Sequence, residues 1–140
     1  MPLVAVKLAG DVRESINKQS ARLPGLHLIG DFYGCRCDYR HMIDRESIEK
    51  LCLRLVEEAG LTPVGSLFHA FGDDGGVTGM VVLAESHLSL HTWPEECYVT
   101  VDVYVCNYTA DNRAKARRLF DALMKAFNPV DPHVCSVDRA

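Results

Sequence analysis

The chain has 140 residues, of which 48% are hydrophobic and 24% charged, a globular composition that excludes disordered and fibrous proteins. Its 15 basic and 19 acidic residues give a net charge of −4 with no Lys/Arg run longer than Arg117-Arg118, so nucleic acid is not an expected partner. No run of about 18 apolar residues occurs, so a membrane span is not expected either. The length predicts a single domain over residues 1–140.

Hydrophobic periodicity predicts the elements of the first half. Residues 1–25 form a lead-in without clear pattern, and its apolar stretch lacks the basic segment of a signal peptide. A strand is predicted over Leu26–Tyr33, and a helix over Arg45–Ala59, where apolar residues recur at intervals of three and four. Asp44 is the expected N-cap of this helix, and Gly60 is expected just past its end.

From residue 63 onward the hydrophobic period changes to two, which predicts a series of strands. They are expected at Val64–Phe71, Thr78–Ala84, His87–Trp93 and Tyr98–Cys106. A second amphipathic helix is predicted over Asp111–Phe127 and a last strand over Val130–Val137. The order βαββββαβ predicts an α+β fold, a two-layer sandwich in which two helices cover one face of a mostly antiparallel sheet.

The two central strands have contrasting faces. Valines alternate with polar and aromatic residues along Tyr98–Cys106, and leucines alternate with His87, Ser89, His91 and Trp93 along the strand before it. Because successive side chains point to opposite sides, the valines and leucines are expected beneath the helices. A solvated face more often carries Lys, Glu and Thr, so the other face indicates a functional site or an interface between sheets.

Taken singly, the reactive residues have ordinary structural explanations. The six cysteines include no CxxC pair, which favours free thiols in a reducing cytosol, and Cys35-Arg36-Cys37 is too tightly spaced for zinc. His87 and His91 would lie roughly 13 Å apart along one strand, too far to share a metal, so no metal site is expected. Cys106 fits a small buried hydrophobe, and Ser86 lacks the GxSxG elbow of a hydrolase.

The segment from Glu85 to Glu95 reads ESHLSLHTWPE and changes this interpretation. It closely resembles the self-processing segment of prokaryotic S-adenosylmethionine decarboxylase proenzymes, the pyruvoyl-dependent enzymes of spermidine synthesis. The resemblance covers about residues 25–138, including the strand that ends at Cys106. It implies a cytoplasmic enzyme that cuts itself into a β chain (1–85) and an α chain (86–140). It also implies a homodimer whose sheets pack face to face as four αββα layers.

The resemblance assigns roles to individual residues. Ser86 matches the serine that attacks the Glu85 carbonyl and becomes the pyruvoyl group, the self-generated cofactor that forms a Schiff base with the substrate. His91 matches the histidine that accepts a proton during processing, and Cys106 matches the cysteine that donates a proton to the substrate carbon after decarboxylation. We expect Ser86 and His91 to lie near one another, as the processing role requires.

S-adenosylmethionine is the substrate that the resemblance implies. Glu95 matches the residue that holds the ribose hydroxyls, and Phe71 matches the aromatic residue that stacks on adenine. Trp93 would form a further wall of the pocket and offer a cation–π contact to the sulfonium. Thr78 stands where the family usually has a small hydroxyl residue, most often serine, near the substrate.

The chain departs from the family pattern at three places. Ala84 stands where serine is common, Glu96-Cys97 replaces a more usual Tyr-Gly, and the loop over residues 72–76 is one residue longer. None of these changes removes a chemical group that the mechanism needs. They leave open pyruvoyl-dependent decarboxylation of arginine or ornithine, and, in another class, a catalytically silent regulatory paralogue.

Overall fold

The computed structural model describes residues 23–108 and 110–139, so most of the predicted lead-in over residues 1–25 lies outside the described residues. The strands are β1 (Gly25–Cys35), β2 (Pro63–Ala70), β3 (Val77–Leu83), β4 (Ser86–Trp93), β5 (Tyr98–Val105) and β6 (Pro129–Arg139). The helices are α1 (Arg40–Ile43), α2 (Arg45–Glu58) and α3 (Arg113–Phe127), with a turn of 3-10 helix at Pro94–Glu96.

In the described part of the chain these strands form one sheet in the order β2-β3-β4-β5-β1-β6, and every neighbouring pair is antiparallel. Helix α2 packs on β2 and β3, α3 packs on β1 and β5, and the two helices contact each other. The predicted α+β two-layer sandwich is therefore confirmed. None of the described helices has the length and apolarity that a membrane crossing requires.

Helix α2 begins and ends where the sequence predicts. Asp44 occupies the N-cap position, and its carboxylate accepts a hydrogen bond from the Ser47 hydroxyl. Gly60 follows the C-cap with a φ of 86°, a left-handed conformation that glycine adopts without a steric penalty. The apolar residues of the predicted stripe are all buried: Ile48, Leu51, Cys52, Leu55, Val56 and Ala59.

Helix α3 lies over the centre of the sheet with its own apolar stripe inward, and that stripe is also buried as predicted: Ala116, Leu119, Phe120, Leu123 and Phe127. Phe120 meets Phe32 of β1 edge to face, with ring centroids 5.7 Å apart. Gly30 makes this contact possible, because a Cβ there would come within 2.8 Å of the Phe120 ring. Asn128, with a φ of 48°, then turns the chain into β6.

The element boundaries differ from the predicted ones at short local features. Helix α1 was not predicted, and the turn predicted after β4 is the 3-10 helix at residues 94–96. Ala84 belongs to the β3–β4 turn, because its N–H donates to the Thr62 carbonyl (3.2 Å) and not to a sheet partner. Phe71 and Cys106 were predicted as the last residues of their strands, but the observed strands each end one residue earlier.

Candidate active site

The face of the sheet opposite the helices, the open face, carries the histidines and aromatic residues of the two central strands. Strand register extends this pattern across the sheet, because residues paired on neighbouring strands lie on the same side. The pairing gives three rows that cross the sheet, each with one residue from β3, β4, β5, β1 and β6 in that order. The rows are Val82, His87, Tyr104, His27 and Val137; Met80, Ser89, Asp102, Ile29 and Cys135; and Thr78, His91, Thr100, Asp31 and His133. The predicted contrast between the two faces is therefore present in the structure.

One end of β4, the histidine end, gathers Thr78, His91, Trp93, Glu95 and Phe71. The Thr78 hydroxyl oxygen lies 3.0 Å from Nδ1 of His91, which fixes the orientation of the imidazole ring. A hydrogen bond at Nδ1 leaves Nε2 as the nitrogen that can exchange a proton with another group. The His91 and Trp93 rings are 6.0 Å apart.

Aromatic rings continue from Trp93 across the open face. Trp93 stacks on Tyr98 with centroids 5.1 Å apart, and Tyr98 stacks on Tyr33 at 4.7 Å. The Tyr98 hydroxyl donates to Asp31 at 2.6 Å. Burial and the neighbouring Asp31 carboxylate both raise the pKa of Tyr98, so this hydroxyl stays protonated as a donor. One face of the Trp93 ring is thus covered by Tyr98.

The loop after β2 brings Phe71 to the histidine end. The Phe71 N–H donates to the Gly76 carbonyl at 2.9 Å, which closes the loop. Gly76 packs so tightly that a Cβ there would lie 2.0 Å from the Thr92 carbonyl oxygen. The Phe71 ring is 61% exposed and meets His69 edge to face. Glu95 is exposed on the 3-10 helix that follows β4.

The other end of β4, the hairpin end, gathers Glu85, Ser86 and Cys106. Ala84 and Glu85 form a two-residue turn between β3 and β4, and Ser86 is the first residue of β4, paired with Leu83. Strand alternation places Ser86 on the helix side, where it lines a cavity of about 190 Å³. Cys106 directly follows β5 at this same end, and its carbonyl accepts from Asn112 Nδ2 at 3.0 Å.

The expected closeness of Ser86 and His91 is wrong within one chain. Both residues belong to β4, with Ser86 opposite Leu83 and His91 opposite Thr78 at the two ends of the β3–β4 ladder. Five residues of extended strand span about 16 Å, because each residue advances the chain by about 3.3 Å. A single chain therefore holds the hairpin end and the histidine end apart.

A polar cluster between the two ends was not singled out as a site by the sequence interpretation. His27 Nε2 lies 3.0 Å from Asp102 Oδ1, and Arg139 stacks 4.4 Å above the Tyr104 ring. His87 tilts against the same Tyr104 ring at 5.5 Å. Burial, followed by the neighbouring His27, lowers the pKa of His87. The alternation of polar and apolar residues on β1, matched to that on β5, is the signal that points to this cluster.

The cysteines are all free thiols, in differing environments. Burial raises the pKa of Cys35 to about 12, with nearby Cys37 and Cys97 adding to the effect, which disfavours the nucleophilic thiolate form. Cys106 is only partly buried. Among the described residues no three His, Cys, Asp or Glu side chains are arranged to hold a metal ion.

The open face also exposes apolar side chains along β2 and β3. Leu67 is 77% exposed, and Met80 and Val82 are more than 40% exposed. They line a shallow cavity of about 500 Å³ that also contains Thr78 and His91. Contiguous exposed apolar surface of this kind marks an interaction site in a folded protein.

The chain is similar to known proteins over most of its length. The family model described as S-adenosylmethionine decarboxylase matches residues 26–140. The S-adenosylmethionine decarboxylase proenzyme of Aquifex aeolicus (strain VF5) is 43% identical over 110 residues, which are 78% of this chain and 76% of that protein. The proenzyme of that name from Picrophilus torridus is 36% identical over 115 residues, covering 82% of this chain and 83% of the relative.

A solved structure extends the similarity to the fold. The crystal structure of the adenosylmethionine decarboxylase from Aquifex aeolicus VF5 matches with a TM-score of 0.74 and 35% identity, over 85% of this chain and 92% of that one. The family model, the named relatives and the fold thus define a decarboxylase of the type that is made as a proenzyme. The chain belongs to the S-adenosylmethionine decarboxylase family.

Proposed function

We propose that this chain cuts itself between Glu85 and Ser86 and then decarboxylates S-adenosylmethionine, which supplies the aminopropyl donor for spermidine. The names of its relatives support the substrate. The position of the Glu85-Ser86 peptide in a two-residue turn carries the cleavage proposal. At a turn the peptide bond can break while both strands keep their ladder partners, so the new ends stay in place.

The hairpin end fits the pyruvoyl group, because that cofactor is made from Ser86 and needs no separate binding site. Once formed, its carbonyl supplies the electron sink for loss of CO₂. Cys106, at the same end and partly buried, is the proposed proton donor to the substrate carbon. A thiol suits this role because its pKa, about 8.5 when unperturbed, allows proton transfer near neutrality.

The histidine end supplies the proposed groups for binding and for processing. Phe71 and Trp93 offer exposed flat surfaces to adenine, and Glu95 offers carboxylate oxygens to the ribose hydroxyls. His91, oriented by Thr78, is the proposed acceptor of the Ser86 hydroxyl proton.

Since Ser86 and His91 lie about 16 Å apart along one strand, we propose that they meet between two subunits. A two-fold axis perpendicular to the strands, with the open faces in contact, would set each hairpin end opposite the partner's histidine end. Such packing gives four αββα layers and covers Leu67, Met80 and Val82, which a single chain leaves exposed. His91 of the partner subunit would then lie at the end of the sheet that carries Ser86, and the Ser86 side chain, which lies on the helix side in the single chain, would turn toward the open face to meet it.

Mixing two inactive variants tests this arrangement. Ser86→Ala and His91→Ala chains are each expected to stay uncut when expressed alone. Expressed together, they form mixed dimers in which an intact Ser86 faces an intact His91. We expect the His91→Ala chain, and not the Ser86→Ala chain, to be cut, as measured by mass spectrometry of distinguishably tagged chains. No cleavage in folded, dimeric mixtures would contradict the proposal.

The substrate is tested on processed wild-type protein. Release of CO₂ from S-adenosylmethionine, arginine and ornithine at equal concentration should be fastest for S-adenosylmethionine. Faster turnover of arginine or ornithine would refute the substrate while leaving the fold and the cleavage proposal in place. Processed dimer that decarboxylates none of the three would favour the regulatory alternative.

A further inference from the structure

The cavity beside the scissile peptide contains a lysine from helix α3. Lys115 lines the cavity of about 190 Å³ together with Ala84, Glu85 and Ser86. The side chain is partly buried, and its aliphatic part lies over Gly60, where an added Cβ would be 3.5 Å from Lys115 Cε. Lys115 and the Glu85-Ser86 peptide thus line the same cavity.

Lys115 is the one cationic side chain among the described residues that line this cavity. In the described part of the chain it takes part in no salt bridge, whereas Arg113 on the same helix pairs with Asp138 at 2.9 Å. Two other polar groups at the cavity are already engaged: the Asn112 amide donates to the Cys106 carbonyl, and the Thr62 carbonyl accepts from the Ala84 N–H. The N–H groups of the Lys115 ammonium are therefore available to acceptors at the β3–β4 turn.

We propose that Lys115 stabilises the negative charge that develops on the main-chain carboxyl group of Glu85 during self-cleavage. This inference rests on the proposed function, since it concerns the cut between Glu85 and Ser86. It assigns to α3 a role in processing that is separate from its role in covering the sheet.

The chemistry places negative charge twice on the main-chain carboxyl group of Glu85. When Ser86 Oγ attacks, its proton leaves and the Glu85 carbonyl oxygen becomes an oxyanion; the C–N bond then breaks, and the amine takes a proton to give an ester. Loss of the Ser86 α-proton expels the Glu85 carboxylate, whose oxygen keeps the electron pair of the broken C–O bond. Water then replaces the nitrogen, which leaves as ammonia. An ammonium at the turn favours both anions over the neutral peptide.

The effect is expected to be large enough to measure. Removing one donor to a developing oxyanion slows acyl transfer by about 10²- to 10³-fold in enzymes with preorganised sites. Lys115 is only partly buried, so solvent screens its charge and a smaller effect is expected. We expect cleavage of the Lys115→Met chain to be at least about tenfold slower than that of wild type.

The test is a cleavage time course on freshly synthesised, labelled full-length chain. Lys115→Met and Lys115→Gln remove the charge but keep the contact with Gly60, Lys115→Arg keeps the charge, and Lys125→Met removes an exposed lysine elsewhere on α3. The Met and Gln chains should cut slowly, and the Arg and Lys125→Met chains should cut at close to the wild-type rate. Thermal melts of each precursor monitor folding.

Three outcomes bear on the inference. Wild-type rates for both Lys115→Met and Lys115→Gln would overturn it, as would an Arg variant that is folded yet as slow as the Met variant. Recovery of rate by Arg alone supports it, because a purely structural contact does not distinguish Arg from Met by charge. A wild-type chain that never cuts itself would instead refute the proposed function.

Discussion

The two faces of the sheet place different demands on the same strands. On the helix side, Val99, Val101, Val103 and Val105 of β5 are completely buried. On the open face, Thr100 and Tyr104 pair with histidines of neighbouring strands, and Asp102 contacts His27. These three residues stay partly accessible. Alternate residues of one strand thus serve stability and chemistry separately, and substitutions on the two faces should have different consequences.

The largest contrast is expected between neighbouring positions of β5. Val101→Asp would bury an unpaired carboxylate and should cost more than about 4 kcal/mol, enough to prevent folding. Thr100→Asp, one residue away on the open face, should leave a folded chain. Circular dichroism and denaturant unfolding measure both. A folded Val101→Asp chain with a wild-type melt would show that the helix-side core is not where the stability lies.

The next effect concerns assembly. Leu67→Asp introduces charge into the apolar part of the open face and should give folded monomers that neither cut themselves nor turn over substrate. Val64→Asp is the matched control, because Val64 is 64% exposed on the same strand but does not line the apolar cavity that Leu67 lines. Light scattering and gel analysis of cleavage follow both variants. A Leu67→Asp protein that stays dimeric and is processed normally would contradict the face-to-face arrangement.

A smaller effect is expected at the adenine surface. Phe71→Ala removes an exposed ring and should raise the KM for S-adenosylmethionine roughly 10- to 100-fold, the scale of one base–aromatic stacking contact. The fold should be unaffected, because Phe71 lies outside the core. Tyr39→Ala, at another exposed aromatic residue, serves as the control. An unchanged KM in processed Phe71→Ala enzyme would remove this residue from the substrate site.

The smallest effect is a pH dependence on the open face. Because the pKa of His87 is lowered in the folded state, unfolded chain binds more protons below the unfolded pKa of about 6.5, and stability falls as the pH drops through that value. Asp102 opposes this shift, while His27 and Arg139 reinforce it. The His87→Gln substitution, in a Ser86→Ala background that keeps the chain intact, should reduce the fall in the free energy of unfolding between about pH 7.5 and pH 5.5. Denaturant titrations at each pH measure it; equal slopes in both proteins would contradict the assignment.

Much of this contrast could be predicted from local patterns. The stripe of α2 and the alternation of β5 each reflect burial of one side, so their periods reveal which residues form the core. Helix α1, of only four residues, is too short for a period to be visible. The resemblance, and no pattern in the residues, assigned roles to Ser86, His91 and Cys106.

The separation of Ser86 from His91 was missed because closeness in sequence is a poor guide to distance along a strand. An extended chain carries residues five positions apart to opposite ends of a β-ladder, whereas the same spacing on a helix would leave them about 7.5 Å apart. Lys115 was missed for the converse reason. It is thirty residues from Glu85, and only the packing of α3 beside the β3–β4 turn brings the two to one cavity.

The order of the strands determines whether the two chains could separate and refold after the proposed cut. The proposed β chain contributes β1, β2 and β3, and the α chain contributes β4, β5 and β6, yet β1 lies between β5 and β6. The two pieces are therefore interleaved and cannot part without unzipping the middle of the sheet. Assembly by a single continuous chain precedes the cut, and afterwards the loop-closure advantage of that chain is gone. If the chain cuts itself as proposed, unfolding of the mature enzyme by heat releases two separate chains, which can refold only after they meet again in solution.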